Sequence, residues 1–166
     1  MAGVSESSEN LNMALYNAVS ILDELDCEWF VFYGTLLGLV RDGFCIDGDD
    51  DVDIMVNCDM NRLGVLLHKH GFRTNPRDRG DILKTYRNRL QNFASVDFYF
   101  CLVEGNDWFA TIDRNWVRDV KIEQIDFEDR QIYVPDRREE RLEQMYGPDW
   151  TTPIRGKKVG QDKSIT

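Results

Sequence analysis

Hydrophobic residues recur along the chain with two periods. Between residues 10 and 26, Leu11, Ala14, Leu15, Ala18, Leu22 and Leu25 repeat at three- to four-residue spacing. That spacing predicts an amphipathic helix, with Asn10 as its cap. Trp29, Phe30, Val31, Phe32 and Tyr33 form an unbroken apolar run, which predicts a buried strand ending at Gly34-Thr35. Residues 36–41 predict a short helix and 43–48 a loop. Residues 51–56 alternate and then turn apolar, as a strand does. Residues 60–70 read as a helix stopped by Gly71. Further strands are predicted over 82–88, 95–103, 108–112, 117–127 and 131–134. Asp136 with Glu139 three residues on resembles a capping box, opening a helix that runs to Tyr146 before Gly147-Pro148. We expect one domain over 1–153 and a polar, basic tail over 154–166.

The 166 residues are 42% hydrophobic and 11% aromatic, enough for a real core and against disorder. The formal charge of −10 argues against a partner bound by phosphate neutralisation, so no duplex nucleic acid is expected. No apolar run reaches the length of a membrane span, and the first ten residues are too polar for a secretory signal. Cys27, Cys45, Cys58 and Cys101 form no CxxC pair, and His68 and His70 have no zinc-like partner spacing. Four free thiols in a reducing cytosol, hence a cytoplasmic protein, is the expectation; a secreted chain with two disulfides is the alternative.

The charge is uneven. Residues 1–60 carry 13 acids and a single base, Arg41. Asp47, Asp49, Asp50, Asp51 and Asp53 fill five of seven consecutive positions. Two carboxylates 4 Å apart repel by about 1 kcal/mol in water and about 4 kcal/mol at an effective dielectric of 20. A loop relaxes that repulsion by pointing outward; a strand cannot, and a divalent cation is the usual neutraliser.

Three features carry candidate chemistry. Gly34-Thr35 ends a strand and enters a helix, where backbone amides attract phosphate oxygens, although an ordinary strand-to-helix turn reads the same way. In Asp51-Val52-Asp53-Ile54 the two carboxylates share one face of a strand while Val52 and Ile54 enter the core. Two convergent hard oxygen ligands suit Mg2+ or Mn2+. Asp97 sits among strand-forming residues with Ser95 and Tyr99 on its face; it becomes a third ligand if its strand neighbours that of Asp51. A solvated acidic turn and a wet sheet face are the plainer readings of the last two features. Calcium EF-hand spacing fails from either Asp47 or Asp49, because Val52, Cys58 and Met60 stand where Gly and Glu are required. Lys84, Arg87 and Arg89 are candidate cations for phosphates, or else a charged solvated strand edge.

The stretch Tyr33-Gly34-Thr35-Leu36-Leu37-Gly38-Leu39-Val40-Arg41 followed by Asp49-Asp50-Asp51-Val52-Asp53-Ile54 resembles the signature of the LicD family. That family belongs to the nucleotidyltransferase superfamily, with bacterial phosphocholine transferases and fukutin-related sugar-phosphate transferases. Met145-Tyr146-Gly147-Pro148, with Trp150 and Pro153, resembles its closing motif, whereas Asp47-Gly48 replaces its frequent Pro-Trp. The resemblance implies an α+β fold, a nucleotidyltransferase-like mixed β-sheet with helices packed on it. It implies that Asp51, Asp53 and Asp97 are the catalytic and metal-binding carboxylates, and that Gly34 and Thr35 hold phosphates. Arg41 matches an arginine of the family; its lone position in an acidic half suits phosphate, or an ion pair with Asp49 or Asp50.

The expected activity is metal-dependent transfer of a phosphoryl-linked group from a CDP-activated donor to a hydroxyl of a glycan. Nucleotidyl transfer from an NTP uses the same carboxylates. A non-catalytic nucleotide- or metal-binding domain, and a glycosyltransferase with its own DxD, are the competing classes.

Overall fold

Helix α1 (Ser8–Leu25) starts two residues before the predicted point, because its cap is Ser7 and not Asn10. The Ser7 hydroxyl accepts the Asn10 amide at 3.1 Å, and Asp26 in the left-handed region ends the helix. Leu11, Ala14, Leu15, Ala18, Val19, Ile21 and Leu22 are its buried face. In this computed structural model the described residues are 4–75, 80–86 and 94–154. The expected tail therefore lies outside the described residues from 155 onward, as do Arg87 and Arg89.

The strands are β1 (Glu28–Val31), β2 (Asp51–Asn57), β3 (Arg73–Thr74), β4 (Ile82–Tyr86), β5 (Ser95–Glu104), β6 (Asp107–Ala110) and β7 (Asn115–Val117). They form one mixed sheet in the order β1-β2-β5-β4-β3, with β6 on the second half of β5 and β7 on β6. β2 and β5 are parallel and every other pairing is antiparallel. A parallel pair needs a crossover. Helix α3 (Met60–Lys69), capped by the Asp59 carboxylate, supplies it with β3 and β4. Val52, Ile54, Met55 and Val56 are fully buried, so β2 reads as an apolar run after its acids. β8 (Ile122–Phe127) and β9 (Arg130–Pro135) form a separate hairpin, seated on β1 through Trp29 against Tyr133. Helix α4 (Arg138–Tyr146) follows. Among the described residues no helix is long and apolar enough to cross a membrane.

Several expectations are corrected. The apolar run at 29–33 is not all strand: β1 ends at Val31, and helix α2 (Tyr33–Arg41) already begins at Tyr33. Gly34 and Thr35 therefore lie in the first turn of a helix instead of breaking a strand. The predicted strand over 117–127 is two strands, because Asp119 adopts a positive φ of 49° between them. Helix α4 has no capping box; its N-cap is Arg137 in the left-handed region, with no side-chain cap bond, and Asp136 instead receives the Lys121 amide and the Arg141 guanidinium. β3 has only two residues, too few for a periodic signal.

A loop packs directly on the backbone of α2. A β-carbon on Gly38 would lie 2.7 Å from the Phe44 carbonyl oxygen and 3.0 Å from the Ile46 nitrogen. Alanine is the better helix former, yet here it drives a methyl into backbone. Gly38→Ala is expected to lower stability by about 1–3 kcal/mol, read from the urea midpoint. A midpoint that stays or rises contradicts this packing.

Candidate active site

The register of the sheet assembles the acids. Parallel pairing sets Asp53 on β2 opposite Asp97 on β5, with Asp51 opposite Ser95. Side chains two apart on a strand share a face, so Asp51 joins the other two. Oxygen atoms of Asp51, Asp53 and Asp97 lie within 4.8 Å of one another. Asp53 and Asp97 are buried and Asp51 is half-buried. A second acidic group, Asp49, Asp50 and Asp51, adjoins it.

Asp53 is held at three points. Its N–H donates to the Thr35 hydroxyl at 2.9 Å, and its C=O accepts the Phe32 N–H at 3.2 Å. Its carboxylate accepts the Tyr99 hydroxyl at 3.1 Å. The strand-to-helix junction that contains Gly34 and Thr35 is thus fastened directly to the Asp-x-Asp strand. Antiparallel pairing of β4 with β5 places Lys84 opposite Asp97, with Nζ 3.0 Å from Oδ2. Burial alone lowers the Lys84 ammonium, but the charges of Asp97, Asp51 and Asp53 outweigh it and hold the group above its ordinary value.

Gly34 and Thr35 sit in the first turn of α2, which begins without a side-chain cap. First-turn amides without such a cap are suited to anions. The Arg41 guanidinium forks onto Asp42, its chain neighbour, at 2.9–3.1 Å. The sequence pointed instead to phosphate or to Asp49 or Asp50.

Some functional neighbours escape sequence reasoning. Tyr33 opens α2 at φ 50°, a region that costs a non-glycine residue about 1–2 kcal/mol. Its hydroxyl donates a short hydrogen bond to Asp113 and accepts from Asn115 at 3.0 Å, some 80 residues away in sequence. Burial, then Asp113, pushes Tyr33 above the ordinary phenol range. Burial followed by the charges of Asp53, Asp97 and Asp51 does the same to Tyr99, so it remains a donor at neutral pH. Residues 5–8 also bind the acidic loop: Glu6 exchanges backbone hydrogen bonds with Asp49 and Gly48, and Ser8 binds Asp47 and Cys45. The only advance signal for any of these was Tyr99, which shares the face of Asp97 by alternation.

A cavity of about 620 Å3 opens at the start of α2. Phe32, Tyr33, Trp116 and Tyr146 line it together with charged residues, Arg118, Arg137 and Arg141 among them, and none of Asp51, Asp53 and Asp97 does. Burial, then the charges of Asp53 and Asp49, raises Tyr146 above the ordinary phenol range. The Tyr146 hydroxyl is buried with no hydrogen-bond partner among the described residues.

Burial, and then repulsion by Asp53, Asp97, Asp50 and Asp49, pushes Asp51 up to about 10. Three convergent, desolvated carboxylates with hard oxygen donors fit a divalent ion, and an ion reverses that repulsion. Without metal, the folded state binds the Asp51 proton more tightly than the unfolded chain. The contribution of Asp51 to stability therefore falls as pH rises from about 4 toward 10. Asp51→Asn is expected to flatten that fall and to raise the metal-free Tm most at pH 9. A variant that melts lower than the parent at pH 9 without metal contradicts the assignment.

The LicD/FKTN/FKRP nucleotidyltransferase domain matches residues 26–137. No curated protein matches the chain. Among solved structures it is similar to the lincosamide antibiotic adenylyltransferase LnuA bound to lincomycin, at TM-score 0.57 and 10% identity, covering 78% of this chain and 83% of that one. It is also similar to ANT(2")-Ia in complex with adenylyl-2"-tobramycin, at TM-score 0.55 and 11% identity, covering 75% of this chain and 68% of that one. At such identity these neighbours share the fold: a mixed sheet with helices, as expected from the sequence. With the family match spanning most of the chain, the protein belongs to the LicD/FKTN/FKRP nucleotidyltransferase-domain family of transferases.

Proposed function

We propose that this domain transfers a phosphoryl-linked group, such as phosphocholine or another alcohol phosphate, from a CDP-activated donor to a hydroxyl of a glycan. The observation that carries the reading is the convergence of Asp51, Asp53 and Asp97 beside the uncapped first turn of α2. In this reading the three carboxylates hold Mg2+ or Mn2+. The ion, when bound, neutralises phosphate oxygens on the donor. The amides of Gly34 and Thr35 bind phosphate oxygens at the start of α2. Tyr99 fixes one oxygen of Asp53 by donating its hydroxyl. Lys84 adds positive charge beside Asp97, and Arg41 at the far end of α2 supports the helix through Asp42.

The acceptor hydroxyl gives its proton to water as its oxygen bonds to phosphorus, Asp97 being engaged by the ion and by Lys84. The bond from phosphorus to the CMP oxygen breaks, and CMP leaves with the electron pair. The cavity at the start of α2, where Tyr33, Trp116 and Tyr146 meet Arg118, Arg137 and Arg141, holds part of a substrate. A second reading, nucleotidyl transfer from an NTP, is favoured by one observation: both structural neighbours are named for antibiotic nucleotidylation.

The test incubates the protein with Mg2+, a hydroxyl-bearing glycan and either CDP-choline or CTP. CMP release from CDP-choline, abolished by chelator and reduced roughly a hundredfold or more by Asp51→Ala or Asp53→Ala, is expected. Pyrophosphate release from CTP alone moves the assignment to the second reading. Unchanged turnover in either variant defeats both.

A further inference from the structure

The four cysteines divide into two kinds. Cys45 and Cys101 are buried, at 3% and 0% exposure, and burial pushes both thiols up to about 12. Such thiols are inert. Cys27 and Cys58 are half-buried. They also face each other. β1 and β2 are antiparallel with Glu28 opposite Asn57, so Cys27, one residue before β1, lies across from Cys58, one residue after β2. The two thiols are near enough for each to shift the acidity of the other. Adjacent antiparallel positions bring α-carbons to about 4.5–5.5 Å, inside the range that a disulfide spans.

We propose that Cys27 and Cys58 form a reversible cross-strand disulfide by exchange with a small-molecule disulfide, Cys27 being the attacking sulfur.

The unequal acidity of the two thiols sets the order of attack. The neighbouring Cys58 lowers Cys27 below its ordinary value, and Cys27 followed by burial raises Cys58. The Cys27 thiolate attacks one sulfur of the reagent and expels the other as a thiolate. Cys58 loses its proton and attacks the Cys27 sulfur of the mixed disulfide, and the second thiolate leaves. Two protein thiols are oxidised, and one small disulfide is reduced to two thiols. The bridge closes a loop containing β1, α2 and all of β2. It therefore ties together the two strands that feed Tyr33 and Asp53 to the site, at the end away from the carboxylates.

The surroundings also select the reagent. Asp23 and Asp26 both act on Cys27, and Asp59 acts on Cys58, each raising the thiol. A local field of this sign repels an anionic disulfide such as oxidised glutathione and attracts a cationic one such as cystamine. The difference shrinks with salt.

The experiment treats the full chain, reduced and then freed of reductant, with cystamine or oxidised glutathione at low and high salt, and follows intact mass and peptide maps. The expected product has lost two hydrogens, with Cys27 linked to Cys58 and with Cys45 and Cys101 still free. Cystamine reacts faster than oxidised glutathione at low salt. Cys58→Ser stops at one adduct on Cys27, whereas Cys27→Ser is labelled more slowly at Cys58. The oxidised protein melts higher, by on the order of 5–10 °C. Separate stable adducts on both cysteines, a link involving Cys45 or Cys101, or faster labelling of Cys58 than of Cys27 overturns the proposal. A bridged form that melts lower than the reduced one does so too.

Discussion

The three-point hold on Asp53 organises the molecule. One residue gives its N–H to Thr35, its C=O to the Phe32 amide and a carboxylate oxygen to Tyr99. These bonds join three elements that are distant in sequence: the start of α2, strand β2 and strand β5. A buried backbone group left without a partner costs about 1–3 kcal/mol. The junction can therefore be neither moved nor rebuilt without exposing or orphaning Asp53. The separation between the first turn of α2 and the paired acids follows from this fastening.

Electrostatics then sets the terms on which the fold exists. Three carboxylates gathered on one sheet face, with Asp49 and Asp50 adjoining, are under mutual repulsion. The protein answers it locally with Lys84 against Asp97 and with hydroxyl donation from Tyr99. It answers it structurally by strapping the acidic loop to residues 5–8. The repulsion that remains is the binding energy available to a cation. A site of this kind trades stability of the empty fold for affinity.

Much of this was legible in the sequence, for identifiable reasons. Alternation put Asp51 and Asp53 on one face and sent Val52 and Ile54 inward, because β2 is a central strand with no freedom to slip. Asp97 was recognisable as out of place among strand formers, but only its pairing with β2 turned it from a wet residue into a partner of Asp53. Local rules failed where a distant contact decided the backbone. Tyr33 reads as a strand aromatic, yet Asp113 and Asn115 hold its hydroxyl and it opens a helix at positive φ. Arg41, read as a partner for phosphate or for Asp49 or Asp50, forks onto its chain neighbour Asp42. The polar residues 5–8 carry no period, so their part in fixing the acidic loop appears only in three dimensions.

The claim on which the account stands is that one divalent cation is shared by β2 and β5. Crystals soaked in Mn2+ and measured at an energy where manganese scatters anomalously locate the ion without reference to activity. The account predicts a single strong peak bounded by carboxylate oxygens of Asp51, Asp53 and Asp97, weakened in Asp97→Asn. A peak confined to Asp49 and Asp50, or no peak at saturating Mn2+, contradicts it.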